Sequence, residues 1–137
     1  MTRQIAWYGT AAVIVHTIVN ILHALAHVSI PVPVTPSQAV FIVTVILTVP
    51  LVAMVLLWTP LSRMGVVLLL VSMLGSLIFG IYNHFIAISP DHISQIPPGN
   101  WQLLFQVTAV LLFLTELLGC GVGVWAIQKL RDEERIA

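Results

Sequence analysis

HTIVNILHALAH, residues 16–27, sets three histidines and an asparagine among Ile, Val, Leu and Ala at steps of four, three and four residues. At about 100° per residue, His16, Asn20, His23 and His27 fall within an arc of roughly 60°. They form one polar stripe on a helix whose remaining surface, Thr17 apart, is aliphatic. Ionisable groups within a bilayer face a bundle interior or a water-filled space, so this face turns away from lipid.

The stripe lies within an apolar run extending from about Ile5 to Val28, and three further runs follow at about 38–58, 65–88 and 101–127. Each approaches or exceeds the roughly 20 residues that a helix needs to cross a hydrocarbon core. Pro31, Pro33 and Pro36 punctuate the first connection, Thr59 to Met64 the second, and Ser89 to Asn100 the third. Of the 137 residues, 59% are hydrophobic and 7% charged. A soluble domain averages about 25% charged residues, so the composition indicates an integral membrane protein. The fold expected is an all-α, four-transmembrane-helix bundle, a single membrane domain over residues 1–137.

Arg3, Arg63, Lys129, Arg131 and Arg135 are the five basic residues, and all fall on one side of such a bundle. By the positive-inside rule that side is cytoplasmic, giving an N-in/C-in protein of a cytoplasmic-type membrane. The start MTRQIAWYG leads into an apolar stretch much longer than a signal-peptide core, which reads as an uncleaved signal anchor. Cys120, the single cysteine, has no intrachain partner. KLRDEERIA, residues 129–137, reads as a solvated extension of the fourth helix. Trp7, Tyr8, Trp58 and Trp125 near the inner boundary and Trp101 near the outer one match interfacial aromatic belts. The partners expected are the bilayer and a larger membrane complex or a second copy, with no nucleic acid.

On the third helix Ser72, Ser76, Gly80 and Asn83 share one side, a row of small residues that permits close helix approach. His84 lies at the edge of that seam. The fourth helix carries Gln102, Gln106 and Glu116 with the Gly119/Gly123 pair. Glu116 is the only acid in a span, and His16, also in the middle third of its helix, is its expected partner in a buried polar pair with Asn20 nearby. The second helix offers Thr44, Thr48 and Pro50, and is expected only to close the bundle against lipid.

Counting about 1.5 Å per residue from the inner ends brings His23 and His84 to nearly equal height near the outer surface, with His27, Asp91, His92 and Gln102 at or above that level. The leading expectation is a transition-metal site open to the outer face. His23 and His27, four residues apart, present two imidazoles on one face, and His84 with His92 or Asp91 completes the ligand set. Asn83, Gln102 and Gln106 would orient the ligands from behind. Zinc, copper or iron suits such a set.

Four other readings stand beside it. The histidines can serve as interhelical hydrogen-bond partners in a noncatalytic accessory subunit, at about 0.6 kcal/mol per bond. His16 or His23 with His84 can ligate a haem in an electron-transfer subunit, although the crowded third-helix seam leaves a porphyrin little room. The ladder His27, His23, Asn20, His16 can relay protons inward toward Glu116, but it stops halfway across. Hydrolysis by Ser29, Ser89 or Ser94 lacks a spacing that sets a nucleophile beside a base. Residues 89–101, SPDHISQIPPGNW, read equally as a cap lowering Asp91 and His92 over the mouth or as a turn-rich connector.

Overall fold

The computed structural model describes residues 3–30 and 32–136, so Met1, Thr2, Ala137 and the loop residue Pro31 lie outside the described residues. Four helices, all long and apolar enough to span a membrane, follow one another: α1 (Arg3–Ser29), α2 (Pro36–Leu56), α3 (Ser62–Ile86) and α4 (Gln102–Ile136). No strand occurs among the described residues. α4 packs along both α1 and α3, while α2 leans mainly on α3 and touches α1 near its end.

Local chemistry fixes the helix ends. Thr35 caps α2 in a reciprocal box: Gln38 N–H donates to Thr35 Oγ1 at 3.3 Å and Thr35 N–H to Gln38 Oε1 at 2.9 Å. Pro36 takes the first turn, where a missing N–H costs no helical bond. Between α2 and α3 the chain reverses tightly. A Cβ on Gly65 would lie 2.9 Å from Leu57 N and 3.0 Å from Ala53 O, both backbone atoms, so the reversal requires glycine.

Two segments wind as π-helix, Ile42–Thr48 within α2 and Tyr82–Ile86 at the end of α3. In the first, the Thr48 hydroxyl donates to Val43 O at 2.7 Å, five residues back. The second matters for the site. A row of side chains spaced by four drifts about 40° per step around a regular α-helix. A π turn holds one more residue than an α turn. It takes up that drift and keeps His84 in line with Ser76 and Gly80.

The core has two apolar ends and a polar middle. Toward the chain termini, Ile5, Val13, Leu57, Val66, Leu69 and Met73 form one cluster; under the third connection Ala26, Ile30, Ile96 and Phe105 form another. α3 and α4 meet through glycines: a Cβ on Gly123 would lie 2.9 Å from Leu70 Cβ and 3.2 Å from Leu70 Cα. At the end bearing the termini, Trp7 meets Trp58 edge-on at 5.2 Å and Tyr8 meets Trp125 at 5.5 Å. Lys129 there donates to Gln4 Oε1 at 2.6 Å. Ile14, Ile18, Ile21 and Leu25 of α1, with their counterparts on the other helices, form an exposed apolar exterior.

Candidate functional site

Three imidazoles gather beneath the third connection. His23 and His27 come from the last turns of α1, and His84 from the π turn of α3. The ring centroids of His23 and His27 lie 4.8 Å apart, those of His23 and His84 4.9 Å, and those of His27 and His84 6.3 Å. Phe105 of α4, fully buried, floors the group at 4.7 Å from His23, 5.0 Å from His27 and 5.6 Å from His84.

Asp91 comes down onto this group from the connection. Its Oδ1 stands 3.2 Å from His27 Nε2 and 3.3 Å from His84 Nδ1. Neither contact has the geometry of an aligned hydrogen bond, so each is a close polar contact of a ring nitrogen with the carboxylate. The connection is also strapped by backbone: Asp91 O accepts from His84 Nδ1 at 3.1 Å and His84 O accepts from Ile93 N at 3.0 Å. Burial of the Asp91 carboxyl opposes ionisation, but the N–H groups of His27 and His84 beside it prevail. They hold it well below the usual carboxylate range.

The network assigns the ring protons. The Thr108 hydroxyl donates to Leu104 O at 2.6 Å, so it accepts from His23 Nδ1 at 2.8 Å. His23 Nε2 then keeps a bare lone pair. His27 presents Nε2–H to Asp91 and keeps its lone pair on Nδ1. Both His23 Nε2 and His27 Nδ1 are sealed from solvent and have no hydrogen-bond partner. Each ring is thus anchored through one nitrogen with the other left open. Among the described residues, no group of three or more His, Cys, Asp or Glu is disposed to hold a metal ion as it stands.

Other expected members lie elsewhere. His92 holds Ser94 Oγ at 2.8 Å through its Nδ1 and stacks on none of the other imidazoles, because its connection turns it outward as Asp91 turns inward. Asn83 is buried beside His84 but accepts from Gln38 Nε2 at 3.1 Å and donates to Phe79 O at 2.9 Å. Gln102 and Gln106 donate to Ile96 O at 3.4 Å and Ile93 O at 2.9 Å, holding the connection rather than an imidazole. The expected His16 and Glu116 pair does not form. Asn20, one turn along α1, donates to His16 Nε2 at 2.9 Å, and Glu116 instead faces Gly80.

Below the imidazoles lies a cavity of about 250 Å³, which runs from Pro33, Val34 and Asp91 at the mouth to Ser76, Leu112 and Glu116 in the bundle middle. Gln38, Ile42, Ile46 and Leu47 of α2 line it, which corrects the expectation that α2 only closes the bundle against lipid. Two residues that matter escaped the sequence reading. Thr108 lies within an apolar run and Gln38 at the head of another; in the structure Gln38 also closes the cap of α2. The one available signal was that each is a polar residue level with the outer histidines.

Comparison of the chain with protein-family models, with curated proteins and with solved structures finds no match.

Proposed function

We propose that this protein spans a cytoplasmic-type membrane with both ends of the chain inside, and that His23, His27, His84 and Asp91 bind a transition-metal ion at its outer mouth. The position of all five basic residues supports the orientation. The observation that carries the metal reading is the pair of sealed, unpartnered lone pairs on His23 Nε2 and His27 Nδ1. Buried polar atoms without partners are rare, and an ion would satisfy these two.

The donor chemistry and spacing suit that role. Imidazoles bound to one tetrahedral ion at about 2.0–2.1 Å have ring centroids about 5 Å apart. His23 stands at 4.8 and 4.9 Å from its two neighbours. Thr108 behind His23 and Asp91 behind His27 are the oxygen acceptors that usually fix the tautomer of a ligating histidine. The rings must rotate for their nitrogens to converge, with Asp91 giving up one of its two contacts. Imidazole donors with one carboxylate suit zinc, iron or copper(II), and without further ligands they give no preference among these.

The test is elemental analysis of protein purified without a histidine tag or chelator, followed by titration with zinc, copper(II) and iron(II). One ion per chain in the wild type, lost in His23→Ala and in His27→Ala, is the expected result. A well-folded protein that arrives free of metal and takes up none of the three overturns the reading.

A further inference from the structure

The inner end of the cavity, one turn of α3 below His84, has a chemistry of its own. Its polar groups are Asn20, Ser76 and Glu116, set among Ile42, Ile46 and Leu112. Glu116 is 2% exposed, and its Oε2 is sealed from solvent with no hydrogen-bond partner. An ionised carboxylate in such surroundings calls for a counter-charge.

The neighbouring groups have spent their protons. Asn20 Nδ2 donates to His16 Nε2 at 2.9 Å and to His16 O at 3.0 Å. A backbone carbonyl can only accept, so the amide orientation is fixed and Asn20 Oδ1 is the atom left over. The Ser76 hydroxyl donates to Ser72 O at 2.8 Å, which leaves its lone pairs. A carboxylate, an amide oxygen and a hydroxyl oxygen therefore line one end of the cavity. Gly80 faces the carboxylate: a Cβ there would lie 3.5 Å from Glu116 Oε2 and 4.0 Å from His84 Cδ2, so this end of the cavity adjoins the His84 ring.

We propose that the inner end of this cavity binds a small primary ammonium, with Glu116 as counter-charge and Asn20 Oδ1 and Ser76 Oγ as acceptors. An –NH3+ group carries three donors and no acceptor, the complement of these three groups. The walls of Ile42, Ile46 and Leu112 receive a short alkyl chain. The cavity, at about 250 Å³, is roomy against the roughly 30 Å³ share of one water. An anion meets repulsion from Glu116, and a quaternary ammonium has no N–H to give.

The experiment uses the full chain in detergent with EDTA present, so that metal at the mouth plays no part. n-Propylammonium is titrated by ligand-observed NMR against propanoate and tetramethylammonium. Saturable binding of n-propylammonium alone is expected at or below about 10 mM, within reach of a ligand of four heavy atoms. Glu116→Gln is expected to weaken it at least tenfold, and Gly80→Val, which fills the space beside the carboxylate, to do the same. If Glu116→Gln does not fold, Gly80→Val decides. Equal binding of the three probes, no binding of any, or undiminished binding in the folded variants overturns the proposal.

Discussion

Replacing Asp91 by asparagine keeps the shape of the side chain and removes its charge. The backbone strap through Asp91 O and His84 Nδ1 remains, so the variant isolates the carboxylate's two contacts, at 3.2 Å to His27 and 3.3 Å to His84. Hydrogen bonds to charged groups are worth about 1.5–3 kcal/mol and neutral ones about 0.5–1.5. Both contacts are off axis and the Asp91 side chain is 16% exposed, which places the loss at the low end. Asp91→Asn is therefore expected to destabilise the fold by about 1–2 kcal/mol, roughly tenfold in the unfolding constant. SDS-induced unfolding from detergent micelles reads this. The pH dependence fixes the cause. The folded carboxyl titrates below its ordinary 3.8, so its contribution is fully present above that value and is lost as pH falls below it. Wild type and variant should differ between pH 7 and about 5 and converge in solution more acid than the ordinary carboxylate value. A difference under about 0.5 kcal/mol at pH 7, or one that persists undiminished well below the ordinary carboxylate value, refutes the carboxylate's role.

Thr108→Val leaves the His23 Nδ1 proton buried without an acceptor. It should cost about 1–3 kcal/mol in the same unfolding assay and about 10–100-fold in affinity for any ion held by His23. Gly123→Ala drives a methyl into Leu70 Cβ and Cα, atoms that move only with their helix, and should destabilise by about 1–3 kcal/mol. An unchanged unfolding midpoint would mean that α3 and α4 separate more easily than their packing implies. On a Cys120→Ser background, Ser94→Cys should react with a membrane-impermeant maleimide on intact cells, and Arg131→Cys only after permeabilisation. The reverse pattern would invert the proposed orientation.

Where the bundle's helices run was legible because each is a long apolar run, of a length able to cross a membrane, that no loop imitates. The histidine stripe was legible for a similar reason: at helical spacing, residues 16, 20, 23 and 27 have only one face to share. The height count from opposite ends sets His23 level with His84, and their rings lie 4.9 Å apart. What stayed hidden depends on backbone detail and on third partners. The π turn at Tyr82–Ile86, which lets both Asn83 and His84 be buried, has no side-chain signature. Thr108 became visible only once its hydroxyl was seen bonded to Leu104 O. The separation of Asp91 from its neighbour His92 follows from how the connection is strapped, and proline content alone cannot foretell which of two adjacent side chains turns inward.

The π turn at the end of α3 also sets which length changes the gene can tolerate. A π turn is an α-helix that has gained a single residue. Deleting one residue from Tyr82–Ile86 lets the helix relax to regular winding, a backbone gain that unfolding measurements would score as harmless. Residues beyond the deletion would keep their phase, but a regular turn buries only one of Asn83 and His84, so either the bond from Gln38 or the third imidazole is lost from the bundle. By contrast, one residue more or less among Pro97 to Asn100, exposed and past the buried Ile96, leaves the imidazoles in place. The chain should therefore accept length variation late in its third connection and refuse it at the end of α3.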